Sequence, residues 1–331
     1  MRAVITGGAG FLGSKLAKRI LERGTLAGAD GAQQKVTELV LFDVVPAAGF
    51  TDPRVKVVTG DVADPATVKA LITPDTRSVF HLAAIVSGQA EAEFDLGMRI
   101  NFDATRHLLE AMRALPQPGR LLFSSSLAVF GALGPEDMPE VIRDDTALTP
   151  QSSYGAEKSM GELMVHDYSR KGFVDGRSLR LPTITVRPGK PNAAASSFAS
   201  GIIREPLNGV ECVVPVGADT KMWVLSPRRV IESLLIGHDI DAKAFGTFRA
   251  VSVPGMQVRV GDMAKALERV AGAQVAARIS WKHDPRIDRI VSTWPSNFDA
   301  KKGLAMGMQV DASFEDNIRA YIADELGGTI G

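Results

Sequence analysis

The sequence predicts an α/β fold, a doubly wound parallel sheet with a smaller α/β second lobe. Three observations point to it. Over the first 190 residues, short β-branched runs alternate with longer amphipathic stretches, the pattern of helices laid between parallel strands. A glycine-rich turn, Gly7 to Gly13, directly follows the first β-branched run. From about Pro188 the rhythm breaks into Pro, Gly, Ala and Ser clusters, and 331 residues exceed the ~250–300 that one hydrophobic core usually serves.

Ala3–Thr6 reads as the first strand, and Phe11, Leu12, Leu16, Ile20 and Leu21 then recur at helical spacing. Gly24 to Gln34, with three glycines and little apolar content, reads as an exposed insertion without chemistry of its own. Further strands are expected at Glu38–Phe42, Val55–Val58, Ser78–Leu82, Arg120–Ser124 and Leu179–Val186, with a second core-facing helical stripe at Leu108, Leu109 and Met112. Residues 1–187 would form the sheet lobe, with about 218–250 returning to it, and 188–331 the smaller lobe. That lobe is expected to hold strands at Thr247–Val253 and Ala277–Trp281 and helices at Asp262–Val270 and Phe314–Glu325.

The composition excludes several classes. Lys plus Arg and Asp plus Glu each number 38, and no run of basic residues appears, which argues against a nucleic-acid or anionic-membrane surface. Cys212 is the one cysteine, so the chain forms no internal disulfide and a reducing cytoplasm is the expected location. Met1-Arg2-Ala3-Val4-Ile5-Thr6 runs straight into a strand, so no signal peptide is expected. Val36 to Val45 is interrupted by Glu38 and Asp43 and falls short of the ~20 apolar residues that span a bilayer. His81, His107, His166, His238 and His283 show no zinc-ligand spacing, and no metal is expected.

Thr6-Gly7-Gly8-Ala9-Gly10-Phe11-Leu12-Gly13 sits between a strand and a helix, the Rossmann context in which glycines let backbone N–H groups approach a pyrophosphate at the positive helix end. Asp43 ends the next strand, where a carboxylate accepts from both ribose hydroxyls and repels a 2′-phosphate, favouring NAD over NADP. Asp61 could reach the adenine edge or cap the helix that begins near Pro65. Tyr154 and Lys158 lie four residues apart on one helix face. An ammonium there favours phenolate, moving the tyrosine from ~10 toward working pH as a general base. Ser124-Ser125-Ser126 ends a strand, where α/β sheets present functional side chains, and Ser126 can donate to the oxygen that Tyr154 deprotonates.

Together these segments resemble the extended short-chain dehydrogenase/reductase family, with motifs in family order: TGGAGFLG, Asp43, GDVAD at 60–64, HLAA at 81–84, Asn101, SSSLAVFG at 124–131 and YGAEK at 154–158. The resemblance implies that Ser126, Tyr154 and Lys158 are catalytic, with Asn101 linked to the proton relay. It implies cofactor contacts at Gly7, Gly10, Phe11, Leu12, Gly13, Asp43, Asp61, Val62, Leu82, Ala83, Ala84, Ser125, Tyr154, Lys158 and Pro182, and a homodimer.

Members of this family share hydride removal to NAD and differ in the chemistry after that step. A 4,6-dehydratase carries Asp-Glu after the catalytic Ser or Thr; here Leu127 and Ala128 stand there, and neither transfers a proton. A nucleotide-sugar 4-epimerase needs a basic segment in the second lobe, and Met222 to Arg229 lacks the family's Arg-Asp ahead of the aromatic. The stretch from Val186 to Gly201 combines small residues with Arg187, Lys190 and Asn192, a wall suited to a short anionic substrate, because a carboxylate leaving water needs a charge-assisted partner. That stretch, together with FHLAAIVSGQAEAEFDLGMRINFDATR and LTPQSSYGAEK, closely resembles family members that oxidise a small sugar acid, and the resemblance implies an NAD-dependent dehydrogenase. The competing readings are the nucleotide-sugar 4-epimerase and a non-catalytic NAD-binding regulator.

Overall fold

The computed structural model describes residues 1–191 and 194–330. The chain divides into two compact units: Met1–Ser126, Ser153–Arg180 and Ile231–Val251 in the first, and Leu127–Ser152, Leu181–Val230 and the chain from Ser252 onward in the second.

The first unit is built on β1 (Arg2–Thr6), all five residues of which are buried. Such a strand has both faces covered, which explains its unbroken apolar run. Then come α1 (Phe11–Arg23), which buries Leu16, Ala17 and Ile20, and a hairpin of β2 (Thr25–Ala27) and β3 (Gln33–Lys35). Gly24, at φ +73°, ends α1 with its N–H on the Ile20 carbonyl, a left-handed helix stop. The hairpin corrects the expectation of an exposed insertion in part: Leu26 and Ala27 are buried, and the Asp239 carboxylate accepts from the Ala27 N–H at 3.0 Å, while residues 29–33 are exposed.

β4 (Glu38–Asp43), β5 (Val55–Thr59), α2 (Pro65–Leu71) and β6 (Thr76–His81) follow, then α3 (Ser87–Ala92), α4 (Phe94–Gly97), a π-helical turn at Met98–Asp103, and α5 (Ala104–Arg113). β7 (Arg120–Ser126), α6 (Ser153–Arg170) and β8 (Asp175–Leu181) complete the main run. The expected strand at 179–186 is two strands, β8 and β9 (Thr183–Ile184), divided at Pro182, which has no N–H to continue a ladder. β8 also starts earlier than hydropathy suggests, because Arg177 is buried with its guanidinium on the Gly237 and Ile240 carbonyls. With β12 (Ala250–Ser252) at one edge, the sheet order is β12-β8-β7-β6-β1-β4-β5. β1 pairs in parallel with both β4 and β6, so the connection reverses beside β1. Ligands of doubly wound sheets bind outside the strand ends at such a switch point.

In the second unit β9, β11 (Lys221–Leu225) and β13 (Met256–Arg259) form a three-stranded sheet, and β10 (Cys212–Val214) pairs with β14 (Ile279–Trp281). The later helices are α7 (Ser197–Leu207), α8 (Pro227–Asp239), α9 (Val260–Ala271), α10 (Ala273–Ala276), α11 (Pro285–Val291), α12 (Lys301–Ala305) and α13 (Phe314–Glu325), of which α7, α9 and α13 bury Ile202, Ile203, Met263, Leu267, Ile318 and Tyr321 in one core. The helix expected over 314–325 has those bounds, and Ser313 caps it by accepting from the Asp316 N–H at 3.1 Å.

Candidate active site

At the carboxyl end of β1 the chain turns at Gly7, φ +75°, where a Cβ would lie 2.8 Å from the Ala83 nitrogen. Glycine is therefore required for the turn and for the approach of the segment after β6. α1 starts without a side-chain cap and without an acidic residue in its first turn among the described residues, so its N-terminal N–H groups face no protein anion of their own helix. Asp43, half-buried at the end of β4, accepts from the Ala9 N–H at 3.1 Å and the Val44 N–H at 2.7 Å. Each carboxylate oxygen keeps a second acceptor site. A glycine turn, an open helix end and a carboxylate at one corner fit the pyrophosphate and ribose diol of a dinucleotide.

β7 brings Ser124, Ser125 and Ser126 to the same carboxyl edge, with Ser126 half-buried. α6 runs across β7 closely because position 161 has no side chain; a Cβ there would meet the Phe123 ring at 2.6 Å. Tyr154 lies in the first turn of α6 and Lys158 one turn on. The Lys158 ammonium is buried, donates to the Ser124 carbonyl at 2.8 Å, and lies 4.7 Å from the Phe123 ring centroid and 5.6 Å from that of Tyr154. Burial pushes its pKa down to about 8, against the opposing pull of Glu157 and Glu162. A cation held this way beside a phenol favours the phenolate.

Asn101 is buried in the π-helical turn, and its side chain bonds the backbone of Ile85 and the Glu157 carboxyl. Its carbonyl accepts from Thr105 Oγ1 at 2.8 Å. Thr105 Oγ1 also meets His81 Nε2 at 3.1 Å, and His81 Nδ1 meets Thr6 Oγ1 at 2.7 Å. Burial, helped by the Lys158 charge, pushes His81 down to about 3, so the imidazole is neutral.

The Ser125 hydroxyl donates to Glu162 at 2.5 Å, and Glu162 pairs with Arg180, Nη2 to Oε2 at 2.8 Å, both side chains being buried. Asp61 accepts from the Ala63 N–H at 2.8 Å and pairs with Arg99 at 2.5 Å; the cap of α2 is Asp64. Val62 is buried, while Phe11, Leu12, Leu82, Ala83 and Ala84 are half-buried. Pro182, Arg187 and Lys190 belong to the second unit. The Arg187 N–H donates to Ser200 Oγ at 3.0 Å, and Lys190 is exposed on a cleft lined also by Arg204, Glu205 and Tyr321. Asn192 lies outside the described residues. Hydropathy passes over Glu157 and Glu162; their signal is a charged face on α6, Glu157, Lys158 and Glu162, at core-facing spacing.

The fold and this corner are those of a dinucleotide-dependent α/β enzyme. The NAD dependent epimerase/dehydratase family model matches residues 3–224, and the chain belongs to that family, with NAD as its cofactor. The chain is 55% identical over 324 residues to D-erythronate dehydrogenase of Cupriavidus necator, covering 98% of each protein. It is 44% identical to D-erythronate dehydrogenase of Haemophilus influenzae, over 98% of this chain and 100% of that one. The crystal structure of a nucleoside-diphosphate-sugar epimerase from Agrobacterium tumefaciens superposes with a TM-score of 0.92 at 40% identity, covering 100% of this chain and 96% of that one. Among the described residues, no helix is long and apolar enough to cross a membrane.

Proposed function

We propose that the protein is an NAD-dependent dehydrogenase that oxidises D-erythronate at C2, giving 2-oxo-D-erythronate, NADH and a proton. The observation that carries this reading is the 55% identity along 98% of the chain to D-erythronate dehydrogenase, together with an intact serine, tyrosine and lysine set. Bound NAD⁺ supplies the hydride acceptor for C2. Tyr154, as phenolate, takes the proton of the C2 hydroxyl, and Ser126 donates a hydrogen bond to the same oxygen. Lys158 keeps the phenol acidic and would hold the nicotinamide ribose. The N–H groups of Phe11, Leu12 and Gly13 would take the pyrophosphate, and Asp43 the adenosine ribose. Arg187, Lys190 and Asn192 are the proposed substrate contacts, on the sequence pattern and its resemblance. The family resemblance supports a homodimer, and the lone, buried Cys212 suits a reducing cytoplasm.

The test is NADH formation with a panel of four- and five-carbon sugar acids and, separately, UDP-sugars. Erythronate with free NAD⁺ should give net NADH. Interconversion of UDP-sugars without net NADH would replace this reading by an epimerase.

A further inference from the structure

The face of α6 that carries Lys158 also carries two buried carboxyls that the proposed oxidation does not use. Arg180 accounts for Glu162. Glu157 has no such cation bonded to it: Oε2 accepts from Asn101 Nδ2 at 2.6 Å, and Oε1 is buried without a hydrogen-bond partner among the described residues. Burial and the Glu91 charge push its pKa up, while the Asn101 bond and the Lys158 ammonium pull it down; Glu162 acts on that same ammonium, whose charge in turn lowers the pKa of His81. A buried, half-satisfied carboxyl costs stability, so its presence needs a reason.

Gly97 makes the room for it. A Cβ at position 97 would lie 2.2 Å from Glu157 Oε1. The backbone there is ordinary right-handed helix, φ −56° and ψ −55°, so glycine is not needed for its conformation. A helix weakened by glycine thus admits one carboxyl oxygen. What that carboxyl holds is Asn101, whose Oδ1 accepts from the Ile85 N–H at 2.9 Å and whose Nδ2 also donates to the Ile85 carbonyl at 3.2 Å. Asn101 stands in a π-helical turn, a geometry that recurs at functional sites.

We propose that Glu157 is a positioning residue: admitted by Gly97, it fixes the Asn101 amide and so holds the segment after β6 in register with Tyr154 and Lys158. The inference rests on the reading of Tyr154 as base and Lys158 as its activator. The geometry asks for an acceptor oxygen at Oε2, which a glutamine supplies and an alanine does not.

The test uses the full chain as wild type, Glu157→Ala, Glu157→Gln, Gly97→Ala and the double variant Gly97→Ala/Glu157→Ala. NAD⁺-linked erythronate oxidation and hydrogen exchange at the Ile85 amide are measured. Glu157→Ala should lower kcat by about 100-fold, the cost of a roughly 1 Å misplacement, while KM for NAD⁺ stays within about threefold. Glu157→Gln should restore kcat to within about threefold of wild type. Gly97→Ala, a change that ordinarily strengthens a helix, should fall as far as Glu157→Ala, and the double variant no further. Ile85 should exchange faster in Glu157→Ala and at the wild-type rate in Glu157→Gln. Wild-type turnover by Glu157→Ala or by Gly97→Ala, or a Glu157→Gln as slow as Glu157→Ala, would overturn the proposal. The exchange arm needs no substrate: if the wild type fails to oxidise erythronate, the functional reading falls while Ile85 still decides the tie to Glu157.

Discussion

Lys158→Met removes the ammonium and keeps most of the side-chain volume. Its effect can be worked from the distance between that charge and the phenol, 5.6 Å to the Tyr154 ring centroid. At an effective dielectric near ~20, unit charges at that separation interact by about 3 kcal/mol, which is roughly two pKa units on the tyrosine. Below the base's titration, turnover follows the phenolate fraction, so kcat/KM at pH 7 should fall by about 100-fold and the alkaline rise should move up by roughly two pH units. The variant should still fold. Lys158 titrates at about 8 in the folded chain against an ordinary 10.5, so burying its charge costs about 3 kcal/mol below pH 8. That cost is relieved as pH rises from 8 toward 10.5, where the folded chain has lost a proton the unfolded chain keeps. The variant escapes the cost but leaves the Ser124 carbonyl without its donor, a loss of about 1–3 kcal/mol, so the two effects largely offset. The assays are pH–rate profiles and urea melts at pH 7 and 10. A Lys158→Met profile with the wild-type apparent pKa would refute the electrostatic role.

Tyr154→Phe should cut kcat by about 100- to 10,000-fold while NADH affinity, read by fluorescence titration, changes by less than about twofold. Asp43→Asn leaves one acceptor oxygen for the Ala9 and Val44 amides and the ribose; KM for NAD⁺ should rise by about tenfold or more, and discrimination against NADP should shrink, as steady-state kinetics with both cofactors will show. His81 is neutral when folded, with its pKa near 3 against an ordinary 6.5, so its stabilising share is full above 6.5 and is lost as pH falls toward 3. Denaturant melts between pH 6.5 and 4.5 should show His81→Gln with an acid slope shallower than wild type by about 1.4 kcal/mol per pH unit.

Much of the architecture can be read from the letters where apolar spacing and burial coincide. β1 and β4 are apolar because both faces are covered, and Phe314, Ile318, Tyr321 and Ile322 mark the buried stripe of α13. The glycine turn and the Tyr154–Lys158 spacing likewise fall within the first unit, at the start of α1 and in the first turns of α6. Hydropathy fails where charge is buried and paired. Arg177 and Arg180 sit inside β8, held by backbone carbonyls and Glu162, so the strand reads as polar loop at its start. α6 hides Glu157, Lys158 and Glu162 on its packed face, so no apolar stripe marks it. The hairpin at 25–35 is too short for a periodic signal, and its tie to Asp239 spans 212 residues of sequence. Asp61 and Asp64 are alike by composition; the N–H groups of Ala66 and Thr67 single out Asp64 as the cap.

The most direct measurement of the central claim tracks the hydrogen itself. Erythronate carrying deuterium at C2, incubated with NAD⁺ and the enzyme, should give deuterated NADH and a slowed single turnover, while the C3-labelled acid should give unlabelled NADH at the normal rate. Label arriving from C3, or no NADH from either acid, would contradict it.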